Sequence, residues 1–322
     1  MSTVFVTGGS GFVGGALIRR LVADGHQVRA LARSDTASAT VTDLGAEPVR
    51  GDLSDPASLR EACAGNELVF HAAAQTTRGG GRAAFVRGNV DGTRNVIAAC
   101  RDSGVRRLVH VGTEAALMAG QPLVNIDETA PLRPDSAAHY SATKAMAEQA
   151  VRDANDEKLE TVVVRPRFVW GRGDTTLLPE LVGAVKSGRF GWIGGGRNLT
   201  DTTHIDNTVE GLVLGAERGR PGEAYFVTDG EPVEFRAFIT AMLDTQGVPA
   251  PTREIPAGLA RALTAAGEGL WRLLRLRSAP PLDYMSLWVS SQECTIDITR
   301  ARTELGYAPV RSRAEGLAEL RG

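Results

Sequence analysis

Three glycines, Gly8, Gly11 and Gly14, stand between a short apolar run, Thr3–Thr7, and an amphipathic pattern that begins at Phe12. A strand turning sharply into a helix needs a residue without a Cβ at the turn. It needs a second where a pyrophosphate approaches the backbone, and a third where the helix packs close to the sheet. The open N–H groups and partial positive charge at the start of such a helix form an anion site. A glycine trio alone says little, but between strand and helix it reads as a dinucleotide-binding turn built from Gly8, Gly11, Phe12, Val13 and Gly14.

The pattern that follows agrees. Strand-like runs at Gln27–Leu31, Glu47–Arg50, Glu67–His71, Arg107–Val111 and Glu160–Val164 alternate with helical stretches at Phe12–Ala23, Ala83–Asp102 and Ala138–Ala154. Repeated β–α units require right-handed crossovers, so the expected class is α/β, a doubly wound parallel sheet. Residues 1–165 are read as this dinucleotide-binding domain. Residues 166–322 are read mainly as a smaller, interleaved substrate-binding lobe, with 201–218 returning to the sheet and helices near 177–187, 206–218, 234–246, 257–276 and 312–320.

Composition excludes several partners. A net charge of −2 offers no basic surface for nucleic acid. Three widely spaced cysteines, Cys63, Cys100 and Cys294, suit reduced buried thiols better than disulfides or zinc. The start of the chain does not read as a secretory signal, and no charge-free window nears the about 20 residues of a membrane span. A cytoplasmic protein with no integral membrane association is expected.

The end of the second strand speaks to the cofactor. An NAD site usually offers an acidic side chain there; this chain has Arg33-Ser34, a pair suited to a phosphate dianion. NADP is therefore expected, with NAD the alternative if Arg33 is only a solvated charge and Asp35 reaches the ribose. Asp52 and Leu53 follow the third strand, where they can meet the adenine, although an Asp there also suits a helix cap. Past the fourth strand, Ala72, Ala73 and Ala74 are small enough to lie against a cofactor. His71 is read as structural.

These motifs, with Asn89-Val90-Asp91-Gly92-Thr93, Tyr140-Ser141-Ala142-Thr143-Lys144, Arg165-Pro166 and the closing Ala301–Pro309 segment, resemble the extended short-chain dehydrogenase/reductase superfamily. The likeness spans nearly the whole chain and is greatest for the 3β-hydroxysteroid dehydrogenase-like and dihydroflavonol reductase-like branch. It implies cofactor contacts at Pro166, Tyr140 and Lys144, a structural role for Asn89, and a homodimer.

The reacting groups also follow from chemistry. Tyr140 and Lys144 lie four apart on a predicted helix and share a face. A nearby ammonium and an oxidised nicotinamide favour phenolate, which would make Tyr140 an acid/base near neutral pH. The resemblance implies a Ser or Thr past the fifth strand to hold the substrate oxygen; Thr113 fits, with Gly112 where relatives often carry another serine. The alternative for Thr113 is a hydroxyl that satisfies a backbone group at the strand end. The expected chemistry is hydride exchange between a nicotinamide and a secondary alcohol or ketone, with Thr113, Tyr140 and Lys144 as catalytic residues.

Glu114, Phe168 and Trp170 are placed at the substrate side. Two departures weigh against the nucleotide-sugar epimerases and dehydratases of the superfamily. Phe168 stands where those enzymes place a substrate-binding asparagine. Thr200 stands where they place a diphosphate-binding arginine, and Arg197 comes three residues early. An apolar small-molecule substrate is expected instead. A third reading, a non-catalytic dinucleotide sensor, fits poorly with a retained Tyr/Lys pair. In 257–276, Leu259, Leu263, Ala266, Leu270 and Leu273 fall on one face, opposite Arg261, Glu268, Arg272 and Arg275. Packing on the protein itself is the default for such a helix; a lid and a membrane-surface helix are the alternatives. Trp170, Phe190, Trp192, Tyr284 and Trp288 are candidates for pocket or core. His204 and Asp206 lack a second histidine at ligand spacing, so no metal is expected.

Overall fold

The computed structural model describes residues 2–76, 81–274 and 282–321. Seven parallel strands form the central sheet: β1 (Thr3–Thr7), β2 (Gln27–Ala32), β3 (Glu47–Arg50), β4 (Leu68–His71), β5 (Arg107–Val111), β6 (Glu160–Pro166) and β7 (Ala224–Val227). Their order is β7-β6-β5-β4-β1-β2-β3, so the chain reverses direction across the sheet between β1 and β4. Ligands of open α/β sheets bind at the carboxyl ends of the strands flanking that reversal. The seventh strand comes from beyond residue 165, where no strand was expected.

Side chains alternate between two apolar layers. Val4, Val6, Val162 and Val164 point into one, with Leu17, Ile18 and Leu21 of the helix Phe12–Ala23 and Leu212 of the helix Ile205–Arg218. Phe5, Val69, Leu108 and Val163 point into the other, with Leu59, Val96 and Val151 from three helices. Both faces are covered, which is why the strands read as continuous apolar runs. Among the described residues no helix is long and apolar enough to cross a membrane, and Cys63, Cys100 and Cys294 are buried free thiols.

The expected helix Ala83–Asp102 is broken into three: α-helical Gly81–Phe85, a π-helical turn Val86–Asp91, and α-helical Gly92–Asp102. The Asn89 side chain faces inward there. Its Oδ1 accepts from Gln75 N–H at 2.6 Å, and its Nδ2 donates to Thr143 Oγ1 at 3.1 Å. Its backbone carbonyl accepts from the Thr93 hydroxyl at 2.6 Å. An inserted residue of this kind is tolerated where side chains satisfy the widened turn.

The helix Ala257–Leu273 departs further from expectation. Its Ala260 and Thr264 are buried, while Leu259, Leu263 and Leu270 are 52, 57 and 48% exposed. The leucine face therefore does not pack on the described protein. Small residues face inward, in keeping with close packing against the helix Tyr284–Ser291. Positions 275 and 276, with Arg275, lie outside the described residues. Trp170 and Trp192 are fully buried in a third apolar cluster with Phe235 and Phe238, so they belong to the core of the smaller lobe.

Candidate active site

The glycine turn has the shape its spacing requires. Gly8 has a φ of +74°, and a Cβ there would lie 2.6 Å from Ala73 N. The turn thus rests on Ala72 and Ala73 at the end of β4. A Cβ on Gly14 would sit 2.2 Å from the Gly8 carbonyl oxygen, a backbone atom that cannot swing aside. Gly14→Ala is expected to shift the helix start, lowering stability by about 1–3 kcal/mol. It should weaken dinucleotide affinity at least about tenfold, a loss of ~1.4 kcal/mol; a calorimetric titration and a thermal melt check both. The helix Phe12–Ala23 has Gly11 at its N-cap and no side-chain cap, so its first N–H groups are open to an anion. The turn and the uncapped helix fit a dinucleotide.

Around this turn, Arg33 is exposed at the end of β2. Asp35 bonds Arg50 at 2.6 Å. Asp52 Oδ1 accepts from both the N–H and the hydroxyl of Ser54, at 2.9 and 2.6 Å, which holds its carboxyl below the usual range. The cap of the next helix, Pro56–Cys63, is Asp55 instead, so Asp52 is not the helix cap that its position also allowed. Leu53 is half-buried beside Gly92, and Pro166 is buried at the end of β6.

His71 ties the sheet together. Thr93 gives its only proton to Asn89, so His71 Nε2 must donate to Thr93 Oγ1 at 3.0 Å. Nδ1 then accepts from Thr7 Oγ1 at 2.7 Å. Burial, then the Lys144 charge, pushes its pKa down to about 3, so it stays neutral.

Tyr140 and Lys144 lie on the helix His139–Asp153. Tyr140 is half-buried, with the Phe85 ring edge-on at 6.4 Å. Lys144 is 3% exposed, and its ammonium donates to Val111 O at 2.8 Å and to His110 Nε2 at 3.3 Å. Burial pushes its pKa down to about 8. His110 is neutral for the same reason, burial first and then the Lys144 charge.

The expected phenolate near neutral pH depends on Lys144 and an oxidised nicotinamide together; in the chain by itself other groups bear on Tyr140. Burial, then the Glu114 carboxylate, raises the phenol well above its ordinary value, with the Thr113 hydroxyl acting in the opposite sense. Lys144 spends its charge on His110 and Val111 O, whereas the Glu114 charge bears on the phenol.

Thr113 caps the short 3₁₀ turn Glu114–Leu117 by accepting from Ala115 N–H at 3.2 Å, and it donates to Glu114 Oε2 at 2.7 Å. Glu114 is 3% exposed and ion-paired with buried Arg167, so it is not free to contact substrate, contrary to expectation. Trp170 is likewise withdrawn from the substrate side: it is fully buried and its indole donates to Asp229 at 2.9 Å. Phe168 is half-buried, has a φ of +47°, and packs edge-on against Phe235 and Phe238. Gly112 has a steric reason: a Cβ there would meet Val163 Cγ1 at 2.7 Å.

Sequence reasoning missed three participants. Glu148 and Arg165 form a fully buried ion pair beneath the site, and Arg167 backs Glu114. Glu148 had a visible signal, since positions 140, 144 and 148 share one helical face; Arg167 had none. The only metal-like cluster among the described residues, His204, Asp206 and Glu319, is bound up in an ion-pair network. Arg311 meets both carboxylates at 3.1 and 3.2 Å, and His204 Nδ1 accepts from Asp206 N–H at 3.2 Å.

A Rossmann sheet with a glycine turn at one strand end and a Tyr/Lys helix packed on β6 defines an oxidoreductase of the extended short-chain dehydrogenase/reductase kind. The family model of the 3-beta hydroxysteroid dehydrogenase/isomerase family matches residues 5–257, and the chain belongs to that family. It is 48% identical to a 4-hydroxy-2-methyl-3-oxo-4-farnesyl-3,4-dihydroquinoline-1-oxide ketoreductase of Stigmatella aurantiaca, over 98% of this chain and 95% of that one. It is 40% identical to a 2-alkyl-3-oxoalkanoate reductase of Stenotrophomonas maltophilia (strain K279a), over 99% and 98%. In fold it is similar to a dTDP-glucose 4,6-dehydratase of Streptomyces venezuelae solved with NAD, with a TM-score of 0.78 at 24% identity over 99% of this chain and 95% of that one.

Proposed function

We propose that the chain is an NADP-preferring oxidoreductase that moves hydride between nicotinamide and the secondary alcohol or ketone carbon of an apolar small molecule. The single observation carrying this reading is the meeting of Tyr140, Thr113 and Lys144 at the strand ends beside the glycine turn. When bound, the nicotinamide supplies the hydride donor or acceptor. Tyr140 exchanges the proton of the substrate oxygen. Lys144 lies on the same helix face, one turn further on, and its ammonium, which donates to Val111 O and His110 Nε2, keeps a third N–H for the nicotinamide ribose. Gly8, Gly11 and Gly14 admit the pyrophosphate, Asp52 and Leu53 face the adenine, and Ala72–Ala74 and Pro166 border the cofactor.

The names of the two bacterial relatives support a ketone on an apolar molecule. The nucleotide-sugar reading loses its anchor at position 200: Thr200 is buried and accepts from Arg167 Nη2 at 3.0 Å. The guanidinium that reaches it, Arg167, is buried and paired with Glu114 rather than open to a diphosphate. The test is a panel of apolar ketones, 3-oxoacyl and prenylated ring compounds among them, offered with NADPH and NADH. Net, stoichiometric oxidation of the cofactor supports the reading, whereas substrate conversion without net cofactor change would identify an epimerase or dehydratase instead.

The preference for NADP rests on Arg33, and on Asp35 being turned to Arg50 rather than to a ribose. Arg33→Ala is expected to weaken NADPH binding about tenfold or more, the worth of one charge-assisted phosphate contact of ~1.5–3 kcal/mol, with NADH binding unchanged. Equal weakening of both in a fluorescence titration would count against it.

A further inference from the structure

A hydroxyl has one proton to give, and that of Thr113 is already committed. It goes to Glu114 Oε2 at 2.7 Å, while Oγ1 accepts from Ala115 N–H at 3.2 Å. The carboxylate holding it is 3% exposed; its second oxygen, Oε1, accepts from Arg167, which is 1% exposed. Arg167 is fastened in turn by Thr200 Oγ1 at 3.0 Å, and its own N–H donates to Thr203 Oγ1 at 2.9 Å. A bond from a hydroxyl to a carboxylate is stronger than one to a neutral ketone. Toward the cleft, Thr113 is therefore an acceptor, and a ketone oxygen must take its hydrogen bond elsewhere.

We propose that Glu114, anchored by Arg167, is a positioning residue that draws the Thr113 proton away from the cleft, leaving Tyr140 as the single proton donor to a carbonyl oxygen. The inference rests on the assignment of Tyr140 above. In the reductive direction the carbonyl carbon gains a hydride as reduced nicotinamide becomes oxidised. The carbonyl oxygen gains the Tyr140 proton, and the phenolate left behind regains a proton from solvent. Alcohol oxidation runs the same steps backwards and must start from the phenolate. A carboxylate beside a phenolate opposes its formation, so oxidation is moved to higher pH while reduction remains available across neutral pH. The overall equilibrium is untouched; only the protonation state from which each direction starts is biased.

Around Tyr140, burial and Glu114 act in this sense and the Thr113 hydroxyl in the opposite one. Glu114, in the segment after β5, bears on Tyr140 electrostatically and is itself paired with Arg167. The helix Gly81–Phe85 presents the apolar Phe85 ring. The helix Tyr284–Ser291 reaches the neighbouring Ser141 through the Met285 sulfur at 3.5 Å. On its own helix, His139 adjoins it, and Lys144 is turned to His110 and Val111 O. Glu114 is thus the charge that bears on the phenol.

The test compares wild type with Glu114→Gln, using one ketone/alcohol pair and kcat/KM against pH in both directions. The expected result is a shift of the oxidation profile to lower pH by about one unit, so that oxidation reaches its plateau at lower pH while the ratio of the two directions at any one pH stays set by the equilibrium. An unmoved profile with rates merely lowered overturns the proposal, because a purely structural Glu114 would give that result. The glutamine takes from Arg167 its ion-pair partner, leaving the pull of Asp201, so Glu114→Gln/Arg167→Met is measured alongside. The double variant is expected to show a shift of the same sign, and a double variant with the wild-type profile also overturns it. Tyr140→Phe separates the two levels: full turnover there sinks the assignment of Tyr140 itself, whatever Glu114 does.

Discussion

Replacing Tyr140 with phenylalanine is expected to lower turnover about a thousandfold, in the middle of the range of roughly 10²–10⁴ for a positioned proton donor. Dinucleotide affinity should change by less than about threefold, under 1 kcal/mol. The substitution removes one oxygen and little else. The ring keeps its edge-on contact with Phe85 at 6.4 Å. Thr113 does not become an orphan, since its proton is on Glu114 and its oxygen accepts from Ala115 N–H. The dinucleotide contacts proposed for the glycine turn and Lys144 are left in place by the change. Steady-state rates with a reducible ketone, paired with a fluorescence titration of NADPH, measure the two quantities separately. A phenylalanine variant within about tenfold of wild type would mean that the proton comes from elsewhere. Loss of turnover and binding together would mean that the helix had moved.

The second large effect lies beneath the site. Glu148→Ala should destabilise the fold by about 3–5 kcal/mol, the usual result of stripping one partner from a buried ion pair. Glu148 and Arg165 are both fully buried. Arg165 Nε sits 3.0 and 3.1 Å from the two carboxylate oxygens, its Nη2 is also bonded to Glu148, and its guanidinium lies 5.0 Å over the Phe226 ring. Without the carboxylate, the buried cation loses its ion-pair partner and keeps the weaker pull of Glu128. A fall in melting temperature of roughly 10 °C is expected, with lower activity because this pair clamps the helix carrying Tyr140 and Lys144 onto β6. Losing the Glu148 charge also removes the influence that raises the Lys144 pKa against burial, so the ammonium is discharged at lower pH. The variant Glu148→Met/Arg165→Met, which removes both charges at similar volume, should recover most of the stability. If the alanine variant melts within about 2 °C of wild type, a shift worth under ~1 kcal/mol, the pair does not hold the helix.

Much of this molecule can be read from periodicity. Six of the seven sheet strands, the glycine turn and the helix carrying Tyr140 and Lys144 are visible because buried parallel strands are continuous apolar runs and a helix repeats every 3.6 residues. The strand Ala224–Val227 escaped because four apolar residues in a glycine- and proline-punctuated region look like many others. The exposed leucines of Ala257–Leu273 show the converse. A helical pattern predicts that an apolar face exists, but not which neighbour covers it or whether any does. The broken helix around Asn89 was invisible for a similar reason, since the bonds that satisfy its π-turn reach Gln75 and Thr143, 14 and 54 residues away.

From the chain alone came the sheet, the glycine turn between strand and helix, and the identity of the phenol and amine on one helical face. All of these depend on spacings within a few residues, which local geometry converts directly into structure. Tertiary structure alone decided where each proton and charge is spent: Glu114 on Arg167 across 53 residues, Lys144 on His110 across 34, and Glu148 on Arg165 across 17. Electrostatic energy depends on distance and burial in three dimensions, so a residue's charge can be read from its letter, but its protonation and direction cannot.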